Sequence, residues 1–309
     1  MTALAVIFER PEHLILGAVP LAAAGDADVV VDIDWTGIST GTEKLLYFGR
    51  MPAFPGMGYP LIPGYEAVGR VRAAGDAAGV AVGQRVFVPG ARWSGPVRGL
   101  FGAAASCVVV PGSRVIPVDE SWGEKSILLS LAATAYHAVA IGLPELVVGH
   151  GVLGRLIARI GVAMGCAPVV WERQPARFDG AIGYVVTDPD ADTRRDYARI
   201  CDASGDSGIL DALVARLARG GEIVLAGFYE ARIGFDFAPA FIREARFRIA
   251  TEFSPADLAA VVALVQDGKL SLDGLLTHQA PVAEMGQAYR TAFTDPHCLK
   301  MVLDWRSRS

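Results

Sequence analysis

Cysteine is scarce in this chain: Cys107, Cys166, Cys201 and Cys298 are its four, and no two stand at a C-x-x-C or other ligand spacing. Neither a disulfide framework nor a structural zinc lobe is expected, and the four read as small core residues in a reducing compartment. Positive charge is also short, with 28 Lys and Arg against 33 Asp and Glu, a formal net charge of −5 and no basic stripe. Nucleic acid is therefore not expected as a partner. Long apolar runs are missing too. The longest uncharged stretch, Ile127 to Leu143, carries Ser130, Thr134, Tyr136 and His137. It falls short of the roughly 20 residues a bilayer requires, so it reads as a buried helix and no integral membrane segment is expected. Met1 to Arg10 shows no leader, apolar stretch and cleavage site in series, which makes the cytoplasm the expected residence.

What is present is glycine and aliphatic side chain: 35 glycines and 52% apolar residues in 309, a composition that suits a compact, turn-rich α/β protein of two packed units. The first 120 residues carry short strand-like runs at Leu4–Phe8, Leu14–Leu16, Val29–Trp35, Ala67–Ala73, Arg85–Pro89 and Ala105–Pro111, a barrel-like β pattern. Gly49 to Gly64, with Pro52, Pro55, Pro60 and Pro63, interrupts them as an ordered excursion. From about Trp122 helices and strands alternate: helix Glu124–Ile141, strand Glu145–Val148, helix Val152–Met164, strand Pro168–Glu172, a strand near Gly183–Thr187, helix Asp192–Arg199, strand Ile200–Ala203, helix Ser207–Leu217, and strands Glu222–Ala226 and Phe247–Glu252. Such alternation predicts a parallel sheet covered on both faces. Helices Pro255–Gln266 and Val282–Phe293 and a strand Leu299–Trp305 follow.

Within this frame Gly149-His150-Gly151-Val152-Leu153-Gly154 leaves a strand and opens a helix. Gly149 suits the tight turn, Gly151 the backbone approach to a pyrophosphate and Gly154 the close packing of helix on strand. Glu172 ends the next strand, where a carboxylate meets the adenosine ribose hydroxyls and favours NAD over NADP. Two alternatives stay open: Glu172 as a surface carboxylate, and Arg173 with Arg177 as holders of a 2′-phosphate. Ser204, in Cys201-Asp202-Ala203-Ser204-Gly205, and Gly227, in Gly227-Phe228-Tyr229, end later strands and are further cofactor candidates.

Pro63-Gly64-Tyr65-Glu66-Ala67-Val68-Gly69, the Gly149–Gly154 turn, Asp202-Ala203-Ser204-Gly205 and Leu299-Lys300-Met301-Val302 resemble the medium-chain dehydrogenase/reductase superfamily. That resemblance implies a GroES-like catalytic domain from residues 1–121 and 254–309, a Rossmann domain over 122–253, and a possible homodimer. The run Arg50 to Glu66, with Ala132-Ala133-Thr134-Ala135-Tyr136-His137, is similar to the bacteriochlorophyllide a dehydrogenases, which implies a pigment alcohol as substrate and NAD as hydride acceptor. Ser39 and Tyr65 stand where zinc-dependent members carry Cys and His, so no zinc is expected. Glu66 keeps its place, with a structural or electrostatic task. Thr42, or Thr40, is expected on the substrate oxygen, and Tyr65 as acid/base if Lys44 lowers its pKa, or else as a packed aromatic below the pocket. For a flat macrocycle, Met51, Phe54, Met57, Tyr59, Trp93 and Phe101 are candidate walls, and Arg92 and Arg98 candidate partners of its propionate; packing onto the barrel is the alternative for each. His137 reads as a satisfied core histidine. A zinc-free NADPH-dependent quinone or enoyl reductase, and a non-catalytic nucleotide-binding member, are the competing readings.

Overall fold

The computed structural model describes residues 1–53, 55–93 and 95–306. Its first segment holds β1 (Thr2–Arg10), β2 (His13–Pro20), β3 (Asp28–Ile38), α1 (Thr42–Tyr47), β4 (Ala67–Ala74), β5 (Arg85–Val88), β6 (Cys107–Pro111) and β7 (Ile116–Pro117). There follow α2 (Leu129–Val139), β8 (Leu146–Val148), α3 (Val152–Ala163), β9 (Val169–Trp171), β10 (Val185–Thr187), β11 (Tyr197–Asp202), α4 (Leu210–Val214), β12 (Leu217–Leu225), α5 (Phe237–Ile242), β13 (Arg246–Ile249) and α6 (Pro255–Gln266). The chain closes with β14 (His278–Pro281), α7 (Met285–Thr294) and β15 (Met301–Asp304). Two compact units result: Met1–Leu129 with Leu275–Ser309, and Ser130–Gly274.

In the first unit β3 is central because its Val29-Val30-Val31 run and Ile33 are buried, as β-branched residues on a pleated surface prefer. It pairs antiparallel with β15, β4 and β6, so the last strand joins one sheet with strands of the first segment, in the order β14-β15-β3-β4-β5-β7 with β6 also on β3, while β1 and β2 form a separate two-stranded sheet. Gly69 is required where β4 crosses β3, since a Cβ there would lie 2.0 Å from the Asp32 carbonyl oxygen.

The second unit is a six-stranded parallel sheet in the order β10-β9-β8-β11-β12-β13, the doubly wound arrangement in which the order reverses between its first and fourth strands. β8 and β9 are short apolar strands, buried as a sheet covered on both faces demands. The segment 254–274 sides with this unit rather than with the first: Asp257 of α6 lies 2.9 Å from His137 Nδ1, and Arg159 donates to the Ser271 and Asp273 carbonyls.

Two expected helices differ. The residues from Asp192 to Asp196 form an irregular stretch, opened by a side-chain turn at Asp192, that leads into β11, because the Asp192 carboxylate accepts from the Arg194 amide, Trp171 Nε1 and the Tyr197 hydroxyl. A short acidic side chain that bonds its own backbone two residues on competes with a helix. The helix expected over Glu124–Ile141 is α only over Leu129–Val139; ahead of it runs a 3₁₀ stretch, Glu120–Leu128, broken at Gly123 with φ 51°. None of the four cysteines is in a disulfide, and Cys107, Cys201 and Cys298 are buried.

Candidate active site and dinucleotide site

In the second unit the glycine turn leaves β8 with Gly149 at φ +92°, its amide donating to the Trp171 carbonyl at 2.8 Å. A Cβ on Gly154 would stand 1.8 Å from the Gly149 carbonyl oxygen, which admits no side chain. Gly151 is the N-cap of α3 and would point a Cβ into open space. Bare backbone amides facing open space at a helix N-terminus fit a pyrophosphate. Val152 and Leu153 follow as the first helical residues.

Ser204 and Gly227 come to the same end of the sheet. A Cβ on Gly149 would meet Ser204 Cα at 3.2 Å, and one on Gly227 would meet the Gly205 nitrogen at 2.9 Å. The ends of β8, β11 and β12 thus meet where the strand order reverses, the place at which open α/β sheets bind ligands. Buried Asp202 fixes this rim, accepting from the Ser204 amide at 2.9 Å and the Tyr229 hydroxyl at 2.6 Å. Burial pushes its carboxyl up, and those bonds draw it back.

Glu172, just past β9, is 8% exposed and accepts the amides of His150, Arg173 and Gln174 at 3.0, 2.8 and 2.8 Å. Those bonds fix a carboxylate beside the glycine turn. Arg173 pairs with Asp190 at 3.4 Å in solvent. The His150 imidazole turns inward, completely buried.

In the first unit Ser39, Thr40, Thr42 and Glu43 lie between β3 and α1, Tyr65 and Glu66 precede β4, and Lys300 precedes β15. Tyr65 Oη donates to Ser39 Oγ at 2.7 Å. Burial and then the Glu66 charge push the phenol well above its usual pKa, and the Ser39 and Thr42 hydroxyls only partly oppose them. Lys44 Nζ donates to the Phe293 carbonyl at 3.0 Å, and the charges that push Tyr65 up are those of Glu66 and then Glu43. Tyr65 therefore stays protonated at neutral pH.

Beneath these hydroxyls lies a salt bridge that reading along the chain missed. Lys300 Nζ meets the two Glu66 oxygens at 2.9 and 2.7 Å and the Ile38 carbonyl at 3.3 Å. Glu66 feels burial as an upward push on its carboxyl and Lys300 as the opposing pull. A lysine at the head of the buried strand Met301-Val302-Leu303 was the available signal, because Lys is hardly ever buried unless paired. Glu43 is also completely buried and accepts from the Tyr289 hydroxyl at 3.0 Å. Burial and then Glu66 raise its pKa to about 8.

Of the candidate walls, Phe101 reaches this cluster, its ring edge-on to Tyr65 at 5.0 Å. Its φ of +66° is a left-handed conformation that costs an ordinary residue roughly 1–2 kcal/mol. Met51, Met57, Tyr59 and Trp93 pack on the barrel core. Tyr59 spends its hydroxyl on the Leu46 carbonyl and Trp93 its Nε1 on Gly102, at 2.7 Å for the latter. Arg98 donates to the Met57 carbonyl at 3.4 Å. Phe54 lies outside the described residues.

The donors at the zinc positions do not fit the ion. Ser39 Oγ and Tyr65 Oη are bonded to each other, and both Glu66 oxygens face an ammonium that would repel a divalent cation. Among the described residues no group of three or more His, Cys, Asp and Glu could hold a metal, and no helix is long and apolar enough to cross a membrane.

A doubly wound sheet with this glycine turn in the second unit, and a β-rich first unit made from both chain ends, define a medium-chain dehydrogenase with a nicotinamide cofactor. Residues 25–120 match the alcohol dehydrogenase GroES-like domain. The fold is shared with an Escherichia coli short chain alcohol dehydrogenase solved with NADH, at a TM-score of 0.83 and 20% identity over 98% of this chain and 99% of that one. The chain is 54% identical over 306 residues to the 2-desacetyl-2-hydroxyethyl bacteriochlorophyllide A dehydrogenase of Rhodobacter capsulatus, covering 97% of this chain and 98% of that protein. The protein of the same name from Cereibacter sphaeroides is 53% identical over 316 residues, 99% of each chain. This chain belongs to their family, the bacteriochlorophyllide a dehydrogenases, and is an oxidoreductase acting on CH–OH.

Proposed function

We propose that this dehydrogenase oxidises the 3-(1-hydroxyethyl) group of a bacteriochlorophyllide a to 3-acetyl, in bacteriochlorophyll biosynthesis, with NAD as acceptor and without zinc. The observation that carries the substrate is the identity of 54% with a relative of that activity along nearly the whole of both chains. NAD is favoured over NADP because Glu172 presents a fixed carboxylate beside the turn, where a 2′-phosphate would be repelled. The dinucleotide supplies the hydride acceptor; Gly149, Gly151 and the α3 amides hold its phosphates, and Ser204 and Gly227 line its far half.

The chain's own residues handle the proton. Tyr65 Oη, held by its hydrogen bond to Ser39 Oγ 2.7 Å away, passes the alcohol proton on in a relay in which each hydroxyl gives up its own proton as it receives the next, from the alcohol to Tyr65, from Tyr65 to Ser39 and from Ser39 to water, so no free phenolate has to form. Thr42 hydrogen-bonds the reacting oxygen, with Thr40 as its neighbour on the same turn. The Glu66–Lys300 bridge keeps the floor of the site fixed and close to neutral. Phe101, beside Tyr65, is the wall that meets the macrocycle.

We also propose a homodimer through β13, the outer strand of the second unit's sheet. Ile249 on it is 70% exposed, and Phe237, Phe241 and Ile242 beside it are 73%, 68% and 69% exposed. An unpaired edge flanked by such a patch favours a second copy.

Mixing the purified protein with the hydroxyethyl pigment and NAD or NADP tests the activity. NADH formation together with a red shift of the pigment is expected. No change with either cofactor would sink the proposal, and turnover only with NADPH on a quinone or enoyl substrate would establish the reductase instead. One zinc per chain by metal analysis would overturn the metal-free site.

A further inference from the structure

Between β9 and β10 the chain runs from Glu172 to Tyr184 with a single regular turn, the 3₁₀ segment Pro175–Arg177. Crossovers in such sheets ordinarily carry a helix that anchors itself by an apolar face. Here the anchor is polar and comes from the glycine turn. His150, whose side chain is completely buried, has Nδ1 2.6 Å from the Arg177 carbonyl oxygen and Nε2 2.8 Å from the Tyr184 hydroxyl. A carbonyl can only accept, so Nδ1 carries the proton. The neutral ring then accepts from Tyr184 at Nε2. Burial, which pushes the imidazole pKa down to about 4, agrees with that tautomer.

Arg155, one turn along α3, doubles the clamp, donating to the same Arg177 carbonyl at 3.1 Å and to the His150 carbonyl at 3.0 Å. The clamped segment contains the Arg173 and Gln174 amides that hold one Glu172 oxygen, while the His150 amide holds the other. Orientation of the Glu172 carboxylate is therefore tied to the His150 side chain inside the phosphate-binding turn, with Arg155 bracing the same carbonyl.

We propose that His150 is a positioning residue that locks the ribose carboxylate Glu172 to the phosphate turn, and so sets the preference for a dinucleotide with a free adenosine ribose over its 2′-phosphorylated form. The inference rests on the reading of Glu172 as the ribose ligand. Loss of the lock lets Glu172 and its segment drift, which weakens NAD and leaves NADP, whose extra phosphate Glu172 opposes, much less affected.

The test measures dissociation constants of NAD and NADP by calorimetry on the full chain. The variants are His150→Ala, His150→Asn, Glu172→Ala and the Glu172→Ala/His150→Ala double. His150→Ala should weaken NAD about tenfold, the equivalent of one hydrogen bond to a charged group, and should shrink the NAD to NADP preference with it. His150→Asn, whose amide can still donate to the Arg177 carbonyl, should recover most of the loss. Without Glu172, removal of His150 should cost NAD nothing further, because two residues that act through one contact do not add. Equal losses for both dinucleotides, or full additivity in the double variant, would overturn the proposal. Should the alanine variant not fold, Tyr184→Phe carries the same comparison, and an unchanged NAD to NADP ratio there overturns it as well. A wild-type chain that binds neither dinucleotide would instead refute the nucleotide site itself.

Discussion

Lys300 and Glu66 stand 234 residues apart in sequence and 2.7 Å apart in space, each 1% exposed. Removing one partner leaves the other charge buried and unpaired, which costs about 3–5 kcal/mol, whereas an apolar or neutral pair of similar volume is often tolerated. Lys300→Met is therefore expected to lower the urea midpoint strongly, and Lys300→Met/Glu66→Gln to recover a large part. A double variant no more stable than the single one would show that the bridge is not the element lost.

Glu43 carries a pH signature. Its folded pKa of about 8 lies above the 4.5 of an ordinary glutamate, so between those values the folded chain holds a proton that the unfolded chain has lost. Stability then falls as pH rises through that window and changes no further from this group above it. Glu43→Gln, which mimics the neutral acid and can still accept from Tyr289, removes the dependence. Melting temperatures of the two proteins should converge at the acid end, and the variant should gain relative to wild type toward pH 8. Parallel curves would mean that Glu43 is not the group responsible.

Tyr65 is expected to act as a hydroxyl, not as a phenolate. Tyr65→Phe removes one preorganised hydrogen-bonding group from the reacting oxygen, and such losses commonly reduce kcat by about 10²-fold or more. Because the phenol's pKa is pushed up rather than down, the profile of log kcat against pH should fall uniformly without losing a limb. A limb in the neutral range that disappears in the variant would reinstate Tyr65 as the titrating base.

How much of this was legible along the chain depends on range. The Gly149–Gly154 turn could be read because a 1.8 Å approach of backbone to backbone leaves only glycine at Gly154, and such local constraints are written in adjacent residues. Glu66 and Tyr65 were legible as a short motif. Lys300 was not, since nothing near it in sequence announces a partner in another strand. The turn at Asp192 was hidden for a different reason: its helical spacing was real, and one Asp side chain bonded to the Arg194 amide outweighed it. The role of His150 escaped because the variable position of a glycine turn carries no periodicity from which its direction could be inferred.

The edge of the second unit makes a simple demand. Phe241, 68% exposed beside β13, should be buried if two copies pair there. Phe241→Asp would place a charge in that interface, where an unpaired buried charge costs several kcal/mol. Sedimentation should show a dimer for wild type and a monomer for the variant, with the melting temperature lowered by loss of the partner. A wild-type monomer at micromolar concentration would refute the interface.

The second and third glycines of the turn separate folding from binding. Gly151 sits at φ −73° with open space where a side chain would point, so Gly151→Ala should change stability by no more than about 1 kcal/mol, the scale of an N-cap substitution. Its methyl nevertheless occupies the space meant for a pyrophosphate, and NAD affinity should fall at least about tenfold, or 1.4 kcal/mol. Gly154→Ala meets the Gly149 carbonyl oxygen at 1.8 Å, and relief requires that α3 move off β8. Overpacking of this kind costs about 1–3 kcal/mol or more, so this variant should lose melting temperature and dinucleotide binding together. Calorimetric titration beside thermal denaturation checks both. If Gly151→Ala binds NAD as tightly as wild type does, the open space at the α3 N-terminus is not where the phosphates lie.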